Sequence, residues 1–220
     1  MTANKPQLTV PIPDRMRHLD RDRRGYPIPY VVLRDHEGFP HFTINDTRLT
    51  KRVLRDDLCS ICGTQLFRGR WYAGGPACAF HRHGAYIDTP MHAECMRYAM
   101  QVCPYLALPN YGKRIDEHLL AAREEKLKER AGLAVVKDPT MNADRPPLFV
   151  AVMATGHTTN IDSTGALHYL HPHRPYKAVE FWRDGARLDH DEGMRIANEA
   201  IEREFNFRIS YALDPARTGS

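Results

Sequence analysis

Apolar and polar positions first alternate along the chain and then change period. Ile28-Pro29-Tyr30-Val31-Val32-Leu33 is β-rich, Asp35-His36-Glu37-Gly38 is turn chemistry, and His41-Phe42-Thr43-Ile44 alternates as a returning strand. The pattern predicts a hairpin. Pro27, Pro29 and Pro40 each remove a ladder donor and place it at a sheet edge. Further on, Ile115, Leu119 and Leu127 recur near helical spacing, Glu124 and Lys128 form an i,i+4 pair, and Gly132 supplies a stop. They predict a charged helix from Ile115 to about Ala131, packed along one stripe or linking two bodies. Leu148 to Met153 is a short apolar strand, residues 154–166 have loop composition, and Tyr176 to Trp182 is another strand closed by Asp184-Gly185. Asp189 and Glu192 open a last helix with Ile196, Ala197, Ala200, Ile201 and Phe205 on one face.

These elements divide the chain into a flexible arm (1–13), a hairpin with a cysteine-rich module (14–113), a connecting helix (114–136) and a small C-terminal strand–strand–helix unit (137–220). The expected class is α+β, and the module and the C-terminal unit can pack as one body. Composition agrees with a globular protein. The 220 residues are 26% charged and 42% apolar, which excludes disorder as the general state. No apolar run is long enough to span a bilayer, and no basic-then-apolar leader opens the chain, so the expected location is the cytoplasm, with no membrane partner.

Charge is uneven. Residues 1–113 carry 16 Lys/Arg against 10 Asp/Glu, a balance of +6, while residues 114–220 have a balance of −2. A basic first half is drawn to polyanions, although the field is modest. Arg15, Arg17, Arg21, Arg23 and Arg24 are interrupted by Asp14, Asp20 and Asp22. This stretch reads as self-compensating, with a phosphate-reaching arm as the sharper alternative.

The densest chemistry lies between residues 59 and 103. Cys59-Ser-Ile-Cys62 is followed, after a glycine-rich stretch, by His92-Ala-Glu-Cys95. A C-x-x-C pair on a tight turn brings two thiolates to one ion, and Gly63 permits the turn. Thr89 and Pro90 suit a helix start, which places His92 and Cys95 three apart on its first turn. Two such pairs make a tetrahedral structural zinc site with one Zn2+ and no open position. Five cysteines, an odd number, suit a reducing compartment. Cys78 or Cys103 could replace His92, but Cys103 lies two turns beyond Cys95 and reads as a buried thiol.

A knuckle, a short hairpin and two ligands on a helix resemble the treble-clef class of zinc fingers, over residues 59 to about 103. The resemblance implies Cys59 and Cys62 as knuckle ligands, His92 and Cys95 as helix ligands, and an insertion near Gly74 to Gly84. The stretches WYAGGPACAF and YAMQVCPYLA also resemble uncharacterised proteins carried by phages and prophages. The treble-clef class spans nucleic-acid binding, protein docking and nuclease scaffolds, so the class alone assigns no activity.

Other residues offer chemistry of their own. Cys78 with His81 and His83 could form an activated thiolate, or the segment is a glycine-hinged loop with a half-buried cysteine. His157, His168, His171 and His173 form a second histidine group; Asp162 could join His171 and His173 on a metal, although Pro172 favours an extended chain expected to point their rings to opposite sides. Trp71, Tyr72, Phe80 and Tyr86, interleaved with Arg68, Arg70 and Arg82, either stack on bases or build the small core around the metal. Trp182 is expected to pack on the final helix. Overall the sequence predicts a zinc-stabilised binding protein, leaning non-enzymatic, with DNA or RNA as first partner and Arg68, Arg70, Trp71 and Arg82 as contacts. A protein-docking role on a host or virion partner is the alternative, and a nuclease-like or Cys78-dependent enzyme the second.

Overall fold

The computed structural model describes residues 10–67, 69–108, 145–163 and 168–205. Within them the chain forms β1 (Val32–Arg34), β2 (Pro40–Asn45), α1 (Thr47–Arg55), β3 (Arg70–Gly74), α2 (Pro76–Phe80), α3 (Ala93–Val102) and α4 (Pro104–Ala107). After residue 144 come β4 (Phe149–Ala154), β5 (His157–Ile161), β6 (His168–Pro172), β7 (Ala178–Arg183), β8 (Ala186–Arg187) and α5 (His190–Phe205). The fold is α+β, with antiparallel strand pairs throughout.

Its centre is a four-stranded sheet in the order β3-β4-β7-β8. The apolar run of β4 is explained by its inner place, which buries both faces. Trp71, Phe149, Ala151 and Trp182 join one core with Cys59, Cys62, Cys95 and Met96. Tyr72, Val150, Val152 and Phe181 join a second core with Phe80, Ile196 and Ile201. The sheet therefore separates a cysteine-rich layer with α3 from a layer of α2 and α5. Strand alternation puts neighbouring residues on opposite faces, so Trp182 belongs to the cysteine-side core and its neighbour Phe181 faces α5. The expectation that Trp182 packs on the final helix is corrected by that one-residue parity. Glycine lets α5 close on the sheet, because a Cβ at Gly193 would lie 2.2 Å from Phe181 Cγ.

The first hairpin is a separate two-stranded sheet, shorter than expected. Residues 28–31 are not strand. Pro27 and Pro29 cannot donate to a ladder, and the Tyr30 and Val31 amides donate instead to Ile61 and Ser60. Residues 157–161, expected as loop, pair with β6 in register from His157↔Pro172 to Ile161↔His168. Helix α1 is an element that the apolar pattern does not predict. Asp46 caps it, its side chain accepting from the Arg48 amide at 2.8 Å. Asp189 likewise caps α5 through the Asp191 amide. The expected connecting helix 114–136 lies outside the described residues, as do Arg68 and most of the arm 1–13. Strand β3, from the cysteine-rich stretch, pairs with β4, from the C-terminal stretch, in one sheet. No helix among the described residues is long and apolar enough to cross a membrane.

Candidate metal centre

Residues 58–65 form a tight loop closed by an antiparallel bridge between Leu58 and Gln65. The Cys59 amide donates to Thr64 O and the Gly63 amide to Cys59 O, both at 2.8 Å. Gly63 has φ +71°, and a Cβ there would meet Tyr30 Cδ2 at 2.7 Å, so both backbone and space require glycine. Ser60 stitches the loop to the next segment, its amide donating to Pro90 O and its hydroxyl to Thr89 O.

Helix α3 starts at Ala93 with His92 as N-cap residue, three residues later than a start capped by Thr89. Met91 is held extended by two hydrogen bonds to Trp71, so Thr89 and Pro90 cannot open the helix. His92 and Cys95 nonetheless reach the same point. One ligand atom each from Cys59, Cys62, His92 and Cys95 lie within 4.8 Å of one another, and the three thiols are buried. This group can hold a metal ion. Cys78 and Cys103 lie outside it.

Two observations test the fit. His92 Nε2 is 3.0 Å from the Gln65 carbonyl. A carbonyl only accepts, so Nε2 carries the hydrogen and Nδ1 turns its lone pair inward, 3.4 Å from Cys62 Sγ. A tetrahedral N–metal–S edge built from ordinary zinc bond lengths is about 3.6 Å. The donors therefore stand at coordination spacing with the correct histidine tautomer. The second observation is electrostatic. Burial pushes the Cys59 thiol up to about 11. Hydrogen bonding from Cys59 and Cys95 holds Cys62 well below the ordinary thiol range, and the same contacts drive Cys95 far above it. The three adjacent thiols oppose one another's ionisation, and a cation among them would favour the thiolate form of all three.

The other expected sites are dispersed. Cys78 lies on α2, half-buried, with its thiol raised by burial, a direction opposite to thiolate activation. His81 Nδ1 accepts from the His83 amide at 3.1 Å, and the two rings are 5.6 Å apart. Tyr72, Phe80, Tyr86 and Trp71 are all buried and serve the two cores. Arg70 grips Asp57 with two nitrogens and donates to Thr155 O, while Arg82 is exposed. Along β6, His168, Leu170 and Pro172 are buried while Tyr169 and His171 are less so. His173 lies beyond the end of the strand. His171 is committed through both nitrogens, donating from Nδ1 to Gly84 O and accepting at Nε2 from Asn160. His157 Nδ1 meets the Tyr72 hydroxyl at 2.7 Å, and burial lowers its pKa.

Sequence reasoning missed Gln65 and the Arg97–Glu180 pair. Gln65 joins the centre through its backbone carbonyl, which leaves no side-chain signature. Arg97 on α3 binds buried Glu180 on β7 at 2.5 Å, and Trp182 Nε1 donates to the same carboxylate. No protein-family model, curated protein or solved structure matches the chain.

Proposed function

We propose that Cys59, Cys62, His92 and Cys95 hold one zinc ion as a structural centre, and that the protein is a non-catalytic binding protein with nucleic acid as its first partner. The observation that carries the zinc reading is the His92 tautomer, locked by Gln65 so that Nδ1 faces three buried sulfurs. Three thiolates and an imidazole suit zinc over harder cations. Four protein ligands fill a tetrahedral set, leaving no position for substrate or water, so the ion supplies folding energy instead of chemistry. The knuckle, the Trp71–Met91 pairing and the helix that follows support a treble-clef assignment, with α2 and residues 81–86 as the insertion. A phage or prophage setting rests on sequence resemblance alone.

The nucleic-acid reading draws on the basic first half of the chain. The protein-docking alternative draws on Phe39 and Phe67, which are 59% and 68% exposed. Metal analysis of purified protein tests the first proposal, with about one zinc per chain expected; metal-free, fully folded protein would refute it. Fluorescence anisotropy with DNA and RNA at several salt concentrations tests the second. Micromolar or tighter, salt-sensitive binding supports it, and absence of binding at low salt transfers the function to a protein partner.

A further inference from the structure

Helix α1 reads Thr47-Arg-Leu-Thr-Lys-Arg-Val-Leu-Arg55 and contains four cations and no acid. Arg48, Lys51, Arg52 and Arg55 are spaced i, i+3, i+4 and i+7, so they share one face. All four are exposed, with the arginine side chains 72%, 57% and 73% accessible. Opposite them Val53 is fully buried, and Leu54 packs against the second core. The helix is thus fixed by one side and presents an unbroken basic stripe on the other. We propose that this stripe is the surface that contacts the phosphate backbone of a nucleic acid.

Arg52 and Arg55 in the last turn are favoured by the helix dipole, but Arg48 near the positive end and like charges three and four apart weaken the helix, so local stability explains only part of the pattern. The available carboxylates sit at the ends. Asp46 meets Arg48 at 2.9 Å while capping the helix, and Asp56 meets Arg55 at 2.6 Å and Arg52 at 3.6 Å. Asp57 is withdrawn by Arg70. Among the described residues no carboxylate lies within ion-pair distance of Lys51, at the middle of the stripe. The four residues cover about 10 Å of helix axis, over which a duplex presents roughly six phosphates. Three of the cations are arginines, whose planar forks match phosphate oxygens. The stripe itself offers no apolar anchor of the kind that dominates protein interfaces, which favours a polyphosphate over an acidic protein.

The metal centre positions this helix. The Leu58 amide donates to Val53 O just before Cys59, and the Gln65 side chain donates to the Asp56 and Asp57 carbonyls at the helix C-terminus. The inference rests on the nucleic-acid reading above and adds the surface that the expected contacts do not supply.

The test compares wild type with the double variant Lys51→Ala, Arg52→Ala in anisotropy titrations of a labelled DNA duplex and an RNA duplex of the same sequence. Arg195→Ala on α5 is the control. Zinc content and thermal midpoint of each variant report that the fold is kept. Loss of two phosphate contacts should weaken binding about tenfold or more at low salt, and lower the log–log salt slope by about two, while the control stays unchanged. The two duplexes distinguish DNA from RNA as the source of the phosphates. Wild-type binding with an unchanged double variant would overturn the stripe and leave the nucleic-acid reading standing. No wild-type binding would overturn that reading itself. Equal displacement by polyglutamate would assign an acidic protein partner and overturn the phosphate identity.

Discussion

His92 Nε2 donates to the backbone carbonyl of Gln65 at 3.0 Å, and the Gln65 side chain donates in turn to the carbonyls of Asp56 and Asp57. One residue therefore sets the tautomer of a metal ligand and closes the end of α1. The centre is tied to its surroundings on two more sides, through Ser60 to Pro90 and through Trp71 to Met91. Loss of the metal should for this reason spread beyond the knuckle. Cys59→Ser and Cys95→Ser are each expected to lower zinc content well below one per chain and to destabilise the protein. Metal analysis with thermal unfolding checks both, and chelation of wild type should reproduce the effect.

The thiol electrostatics give metal affinity a definite pH dependence. Burial and the neighbouring sulfurs push the Cys59 and Cys95 thiols above their ordinary range, while hydrogen bonds from those sulfurs hold Cys62 below it. Thiols must lose their protons to ligate a metal, so binding should release protons and affinity should rise with pH between about 6 and 8. In the metal-free fold the two raised thiols have the opposite sign. Raised thiol pKa values contribute stability below the unfolded value, and that contribution is lost as pH climbs through about 11 for Cys59. Competition with a zinc indicator measures the first trend, and unfolding of chelated protein at rising pH the second.

Glu180 is 3% exposed and lies beneath α3, held by Arg97 and Trp182. Arg97→Ala would leave a buried carboxylate with Trp182 and the more distant Arg187. The expected loss is about 2 kcal/mol, below the full cost of breaking a buried pair because Arg97 is itself half-exposed. Adding Glu180→Gln should recover part of it. Urea unfolding of wild type and the two variants checks this. Because the pair joins α3 to β7, zinc content should not change.

The Cys59, Cys62, His92 and Cys95 cluster was legible because metal-ligating residue types recur there at short spacing, a pattern that is local in sequence. The strong apolar runs were equally plain, since β4 and β7 need to be buried whatever their partners. Helix α1 was hidden by its own charge. Its apolar positions number three, and four cations mask the period that Leu49 and Val53 would otherwise show. Hairpin β5–β6 was hidden because β5 is mostly exposed and polar, so its pairing is decided by the backbone ladder and not by side-chain burial. The Trp182 error came from one-residue parity, which a strand without a placed partner leaves undefined.

Gln65→Ala isolates the capping half of the opening relationship. The backbone carbonyl to His92 remains, so zinc content should be kept. Loss of the two partly exposed amide contacts should cost about 0.5–1 kcal/mol and lower the thermal midpoint by a few degrees. Zinc loss in this variant would show that the side chain, not the carbonyl, organises the centre.

Two glycines with similar backbones separate strain from packing. Gly63 has φ +71° inside the knuckle and Gly38 has φ +80° in the first hairpin turn. Alanine at either pays the left-handed penalty of about 1–2 kcal/mol. At Gly38 the new methyl meets nothing within 4 Å, whereas at Gly63 it would strike Tyr30 at 2.7 Å. Tyr30 is anchored by its amide on Ile61 O, between Cys59 and Cys62, so it cannot withdraw without moving the knuckle. Gly38→Ala should therefore lower stability by the backbone term alone and leave zinc affinity unchanged. Gly63→Ala should lose more stability and also weaken zinc retention against a chelator. Equal losses in both variants, with zinc affinity intact, would mean that the knuckle yields at Tyr30 and that the metal sets its geometry more than the packing does.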